Sequence, residues 1–448
     1  MTLHLLPFFK ACNPSKTIDL ANPLERPYYI DFSSVRGAKV VETLERTIVR
    51  LSPDEPTCQL FSGHIGCGKS TELLRLKARL EQENYHVVYF ESSRDLDMAD
   101  VNISDILMAI AKSVSESLEK TAGIQLSAPY FTNLFQEVKS FLQNSLDLDA
   151  EAQLSLGIAR ITAKTKENPK LREQLKQSLE PRSERILRAI NEEVLELADR
   201  ELKARGKKGL VAIVDNLDRI APRQITPTRS LPEYLFIDRG SQLGRLNCHM
   251  VYTIPLALIF SNEYQTLKNR LGGGIAPIIL PMIPACDRDG RDNSQGMALL
   301  RQLLLVRAFP ELEPQKRLEL ISEVFDSPQT LDRLCRVSGG HVRNLLGLLY
   351  TCLRQQDPPI DRYCVESVIQ NYREDILLAL EDHEWNLIMQ VMKEQKVRGE
   401  QEYQLLLRSM FVFEYQDEGG RWFGINPALA ESQRFQKILA IAPKSNRV

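Results

Sequence analysis

Apolar residues along this chain follow two rhythms. Five short runs are almost continuously apolar: residues 57–62 (TCQLFS), 86–91 (HVVYFE), 209–215 (GLVAIVD), 248–254 (CHMVYTI) and 276–280 (APIIL). Runs of this length, bounded by turn residues, predict buried strands. Between them, apolar positions recur every three or four residues. Val41, Leu44 and Ile48 form one such set, and Leu73, Leu76 and Leu80 another. Both predict helices with one buried face. Strand, loop, helix and strand in that order make a βαβ unit, hence a parallel sheet in an α/β domain.

The same pattern divides the chain. Residues 1–35 carry Pro14, Pro23 and Pro27 and are expected to be irregular. Their apolar start has no basic beginning and is interrupted by Pro7 and Lys10, so it reads as a docking arm rather than a signal peptide. The core is expected over 36–284. It includes a mostly helical insertion over about 104–205, in which Ile186, Ile190, Val194 and Leu197 share a face. Residues 162–180, rich in Lys, Glu and Gln, read there as a solvated helix. Beyond Pro284 the strands stop, and helices are expected over 294–307, 314–325, 328–337, 342–355 and 365–380, so that 285–373 forms a helical domain. The last module, 374–448, reads as two helices and then two strands around 412–415 and 422–426. These strands are joined by Asp417-Glu418-Gly419-Gly420.

Composition narrows the classes. The 448 residues hold 57 Lys+Arg against 59 Asp+Glu, a net charge of −2, and 43% are hydrophobic. Collagen-like, disordered and disulfide-scaffold proteins are excluded, and no global field draws the chain to nucleic acid or to an anionic membrane. No run approaches the roughly 18 consecutive apolar residues of a membrane helix. The eight cysteines include no Cys-x-x-Cys pair and are scattered, as are the six histidines. Reduced thiols in a cytoplasmic setting are therefore expected, rather than a zinc site or a disulfide framework.

One segment carries explicit chemistry. Gly63-His64-Ile65-Gly66-Cys67-Gly68-Lys69-Ser70 fits G-x-x-x-x-G-K-[ST], and Thr71 follows. Glycines let the backbone curl so that successive N–H groups converge on phosphate oxygens, and the helix opening at Lys69 adds its positive end. Lys69 is expected to neutralise the β- and γ-phosphates, and the Ser70 hydroxyl to ligate Mg²⁺. The motif follows a strand and opens an amphipathic helix, the context a phosphate loop requires. Cys67, inside the loop, is a candidate for oxidation that blocks nucleotide binding.

A triphosphate site also needs a carboxylate for the metal. Residues 210–215 form an apolar run ending in Asp215, as expected of a Walker B strand lying beside the strand before the phosphate loop. Asp215 would hold Mg²⁺ through water, and Asp218 is the nearest candidate to orient or deprotonate the attacking water. Asn216 stands where many hydrolases carry Glu, which predicts slow turnover.

Chain order separates the P-loop families. The Val337-Ser338-Gly339-Gly340 segment has the look of a transporter-ATPase signature but comes after Asp215 instead of before it, so that class is rejected. Together, GHIGCGKST, VAIVDNLDR, the Tyr252-Thr253-Ile254-Pro255 strand end and Ser338-Gly339-Gly340-His341-Val342-Arg343-Asn344-Leu345 resemble AAA+ ATPases of the origin-recognition/Cdc6-like and STAND branch, over about residues 30–355. The resemblance implies an AAA+-like P-loop fold with a helical lid, binding ATP or ADP with Mg²⁺. It also implies that Arg343 is a sensor-2 arginine reaching the phosphates and that Thr253 is a sensor-1 residue at the γ-phosphate or attacking water. Arg270 would be an arginine finger completing a neighbour's site, and Tyr29 and Arg36 would contact adenine.

Helix, helix and a two-stranded wing after such a lid resembles a winged helix. Residues 374–448 carry nine Lys+Arg against twelve Asp+Glu, and the segment that would enter a DNA groove, 400–410, bears Glu400 and Glu402 against Arg408 alone. Duplex DNA affinity rests mainly on phosphate contacts, so this charge disfavours DNA and favours a protein contact. The expectation is an ATP-binding, slowly hydrolysing switch that self-associates or passes a signal to a protein partner. The alternative is a DNA-binding initiator or transposition-type ATPase.

Overall fold

The computed structural model describes residues 3–37, 39–126, 128–141, 154–158 and 168–441. The chain divides into two compact units, one of Val41–Ser62 and Glu72–Ile279 and the other of Met1–Val40, Gly63–Thr71 and Leu280–Val448.

The first unit is built on a parallel sheet of five strands: β1 (Cys58–Ser62), β2 (His86–Glu91), β3 (Leu210–Asp215), then β6 (His249–Thr253) and β7 (Ile278–Ile279). A short antiparallel hairpin in the Pro-rich loop supplies β4 (Gln224–Thr226) and β5 (Arg229–Ser230). Every residue of β3 is buried, as its unbroken apolar run requires. The order across the sheet is β2-β3-β6-β1-β7. This corrects one expectation: the Asp215 strand is not next to β1, because β6 lies between them. Both runs read as buried strands, but periodicity carries no information about which pairs with which. Here β6 takes hydrogen bonds from both neighbours, with Phe61 opposite Thr253 and Val214 opposite Tyr252.

Helices of the insertion pack a large apolar cluster in this unit. Ile103–Ser117 opens with a capping box, Asn102 accepting from the Asp105 amide while the Asp105 carboxylate accepts from Asn102 N–H. Ile186, Ile190 and Val194 are fully buried, whereas Leu197 is half-buried and Ala198 takes its place inside. The 162–180 segment departs from its solvated reading where it is described. Pro169–Leu179 is a helix whose Leu175 and Leu179 are buried, while Lys176 and Arg172 bond Asp100 at 3.1 and 3.2 Å. Two leucines one turn apart are enough to seat an otherwise polar helix. Residues 162–167 lie outside the described residues.

The second unit is helical apart from one hairpin. The arm is not irregular throughout: Leu5–Ala11 is a helix, and its Phe8 joins Cys12 in the core beside Ser294–Ala308. Pro7 is tolerated because it sits in the first turn, where N–H groups have no intrahelical acceptor to lose. The helices Ser294–Ala308, Pro314–Glu319, Pro328–Val337, Val342–Leu353 and Arg362–Leu378 follow the expected spacing. Glu384–Glu394 and Gln401–Arg408 then lead into the antiparallel pair β8 (Val412–Asp417) and β9 (Gly420–Ile425), with Asp417 opposite Gly420. Arg288 anchors this hairpin, its Nε 2.6 Å from Asp417 Oδ2 and its Nη2 2.7 Å from the Gly420 carbonyl. Among the described residues no helix is long and apolar enough to cross a membrane.

Candidate functional site

In the second unit the loop Gly63–Gly68 runs into the helix Lys69–Gln82. Its glycines carry positive φ, 152° at Gly63, 92° at Gly66 and 109° at Gly68. Five consecutive carbonyls are each held by a donor. Lys69 Nζ donates to Gly63 O and His64 O, both at 2.8 Å. His341 Nε2 lies 2.8 Å from Ile65 O, the Arg343 amide donates to Gly66 O at 3.1 Å, and Arg36 Nη2 donates to Cys67 O at 2.7 Å. In a trans peptide the N–H points opposite to the C=O. Each amide therefore faces away from the donor that holds the carbonyl before it, although the Cys67 amide is itself bonded to His64 O at 3.2 Å.

Steric room agrees with that polarity. A Cβ at Gly66 would stand 2.8 Å from both Arg343 Cβ and His341 Cε1, so this glycine exists for close approach. A Cβ at Gly68 would meet one atom within 4 Å, Arg36 Nη2 at 3.9 Å. That face is open and edged by a guanidinium, which fits a phosphate. Arg36 is 3% exposed, lies over the Phe32 ring at 5.4 Å, and its Nε has no hydrogen-bond partner among the described residues. Arg36 was expected at adenine; its observed contact is with the phosphate loop. Tyr29 is half-buried at the end of the turn Arg26–Tyr28 in the same arm. Ser70 and Thr71 are half-buried in the first turn of the helix, as a metal-ligating hydroxyl needs. Cys67 is wholly buried, its Sγ 3.9 Å from Leu280 O, so the thiol is shielded from the oxidation expected of it.

Two histidines complete this cluster, and sequence reasoning gave neither side chain its role. His341 caps the helix Val342–Leu353, its Nδ1 accepting from the Asn344 amide at 3.0 Å. A carbonyl can only accept, so its Nε2 carries the proton toward Ile65. Burial pulls the His341 pKa down to about 4, helped by the nearby Arg343 and Lys69 charges. His64 is also buried, and burial, then His341 and Lys69, bring its pKa to about 3. Both rings are neutral at pH 7. The only sequence signal was position: one histidine inside the phosphate-loop motif, the other inside the SGGHVR segment. The Arg343 side chain is half-buried beside Gly66, and its backbone already grips the loop.

The acidic residues belong to the first unit. Asp215 is 1% exposed at the end of β3. Its Oδ1 accepts from the Asn216 amide at 2.7 Å and its Oδ2 from Tyr89 Oη at 2.8 Å. Asn216 has φ 66° and donates from Nδ2 to Ser93 Oγ at 3.3 Å, so a side chain that cannot act as a base is fixed there. Asp218 is buried in the turn Leu217–Arg219. Thr253, fully buried, accepts from the Leu217 amide at 3.1 Å and donates to Val214 O at 3.4 Å. Its hydroxyl proton is spent on β3, and its oxygen accepts from the turn that bears Asp218. Arg270 is exposed at the C-terminal end of Tyr264–Arg270, its Nη1 3.4 Å from Ile237 O.

Residues 38–237 match the model of the KAP family P-loop domain. No curated protein matches the chain in sequence. Similar solved structures include the ORC1 protein of Aeropyrum pernix in complex with DNA, at 15% identity and a TM-score of 0.40, covering 95% of this chain and 98% of that one. A Walker-type ATPase of Pyrococcus abyssi gives 13% identity and a TM-score of 0.41, covering 90% and 98%. Cdc6p from Pyrobaculum aerophilum gives 13% and 0.38, covering 93% and 97%. The parallel sheet, the phosphate loop after β1 and the family match together describe a P-loop NTPase fold.

Proposed function

We propose, on the premise that residues 38–237 form a P-loop NTPase domain, that this chain binds ATP and hydrolyses it slowly. In this reading the nucleotide state sets the conformation of the helical lid and of a C-terminal winged-helix-like module. The observation that carries it is the loop itself, with five successive carbonyls held by donors, Lys69 among them, and an open face over Gly68 edged by Arg36.

Lys69 is the proposed neutraliser of phosphate charge, and it would exchange its loop carbonyls for phosphate oxygens. Arg36 would brace the Cys67–Gly68 peptide while its Nε remains available to an anion. Ser70 and Asp215 are the proposed holders of Mg²⁺, which when bound supplies charge neutralisation on the phosphates. Asp218 would orient the attacking water, held in place by the Thr253 contact to its turn. Asn216 in place of a carboxylate supports slow turnover, because an amide cannot accept the proton of that water. Arg343 would add positive charge where negative charge develops, and Arg270 would do so on a neighbouring copy.

Calorimetric titration with ATP and Mg²⁺ tests the reading. Binding that Lys69→Ala abolishes, with phosphate release lost in parallel, is the expected result. No binding by the wild type, or phosphate release that survives Lys69→Ala, would sink it. Solution mass measured with ADP and with a non-hydrolysable ATP analogue tests the neighbour role: an ATP-dependent increase that Arg270→Ala leaves intact, with hydrolysis lost, is the expected signature.

A further inference from the structure

The side chain of His64 is bonded by the C-terminal module rather than by the loop that carries it. Nε2 accepts from the Glu414 amide of β8 at 3.0 Å. That contact requires a bare Nε2, so the neutral ring carries its proton on Nδ1. Phe413 sits edge-on to the His64 ring, centroids 5.7 Å apart at 80°, and stacks on His341 at 6.0 Å and 15°. The Glu414 carbonyl accepts from the Met282 amide at 3.0 Å, and Tyr415 Oη donates to Gly339 O at 2.7 Å. Three successive residues of β8 are therefore tied to the phosphate loop, to the chain entering the helical domain, and to the glycines before Val342–Leu353.

The hairpin does this without crowding Gly68, since among the described residues only Arg36 Nη2 comes within 4 Å of a Cβ built there. Docking of the module and occupation of the loop are compatible, and both call for the same loop conformation. Two events that select one conformation stabilise each other, and linkage makes the effect reciprocal.

We propose that His64 is a positioning residue through which the C-terminal hairpin holds the phosphate loop in its anion-binding shape. A docked module then strengthens nucleotide binding, and bound nucleotide tightens the module. This inference rests on the reading of the loop as a nucleotide site.

The test combines nucleotide titration with hydrogen–deuterium exchange on the full chain, for wild type, His64→Phe and His64→Gln. Phenylalanine keeps the ring without either nitrogen, whereas glutamine restores a polar group at the reach of Nε2. In the wild type, a saturating non-hydrolysable ATP analogue is expected to slow exchange of peptides spanning 411–417. His64→Phe is expected to abolish that protection and to bind the analogue about tenfold more weakly, and His64→Gln to recover most of both. A His64→Phe protein that binds as tightly as wild type and keeps the protection overturns the proposal. So does wild-type exchange at 411–417 that is unmoved at proven saturation. Failure of the wild type to bind nucleotide at all removes the functional reading but leaves the link open to the same data. Unliganded His64→Phe must then exchange faster than wild type at both 411–417 and the phosphate loop, and equal rates refute the link.

Discussion

His341 Nε2 lies 2.8 Å from the carbonyl oxygen of Ile65, so the residue that caps one helix also fixes a peptide of the phosphate loop 276 positions earlier. Replacing His341 with alanine leaves the Ile65 carbonyl without this donor and the Asn344 amide without its cap. The expected loss is about 1–3 kcal/mol of stability, the usual scale for a buried partner removed. ATP affinity should fall by roughly tenfold. Thermal unfolding and calorimetric titration measure the two. Unchanged affinity in a folded His341→Ala protein would contradict the bracing role.

Gly66 and Gly68 separate two costs of adding a methyl group. Both have positive φ, but only Gly66 is crowded, its added Cβ standing 2.8 Å from Arg343 Cβ and His341 Cε1. Gly66→Ala is expected to lose about 2–4 kcal/mol through clash and backbone strain together, and Gly68→Ala about 1–2 kcal/mol through strain alone. Nucleotide binding should fail in both, because the methyl at Gly68 enters the proposed phosphate space. Urea titrations of the two variants rank them. Equal stability would show that the neighbours of Gly66 give way freely.

Acid stability should report the buried histidines and Glu414. His64 and His341 are depressed from 6.5 to about 3 and about 4, so both take up protons on unfolding below pH 6.5, and their stabilising effect is lost as pH falls. The groups around them are Lys69 and Arg343, which oppose protonation further. Glu414 runs the other way. Burial raises it from 4.5 to about 7 despite Arg421 at 3.0 Å, so it releases a proton on unfolding and its contribution fades as pH rises toward 7. Around pH 5.5 the three together take up about one net proton, so stability falls by about 1.4 kcal/mol per pH unit of acidification. Glu414→Gln removes the opposing release and should roughly double that slope. Denaturant titrations at pH 5 and pH 6 for the two proteins decide it, and parallel slopes would refute the assignment.

Asp215→Asn tests the acidic end of β3. The amide can replace one acceptor oxygen but not both, so the contacts from Tyr89 and the Asn216 backbone cannot both survive. A stability loss of about 1–2 kcal/mol is expected. Mg²⁺-dependent phosphate release should drop by about a hundredfold, while metal-free ATP binding changes little. Hydrolysis at the wild-type rate would remove Asp215 from the metal site.

Much of the scaffold was legible because it is local. The five strands and the helices beyond Pro284 announce themselves through periods set by backbone geometry, and the phosphate loop through glycines and a lysine at fixed offsets. The misread segments have equally local reasons. The helix Leu5–Ala11 was hidden by a proline that is harmless in a first turn, and Pro169–Leu179 by a polar composition that two buried leucines outweigh. Strand adjacency was beyond reach, because a parallel sheet can insert β6 between β1 and β3 without altering either run.

By itself, then, the amino-acid sequence determined that a phosphate loop follows a buried strand and opens a helix, and that an acid-tipped strand comes later. Tertiary structure alone decided what holds that loop. Its carbonyls and its His64 ring find partners in Arg36, His341, Arg343 and Glu414, the last of them 350 positions away along the chain. Hydrogen-bond complementarity over such separations leaves no periodic trace in a sequence, because it depends on where folding brings two short groups and not on the spacing of either one.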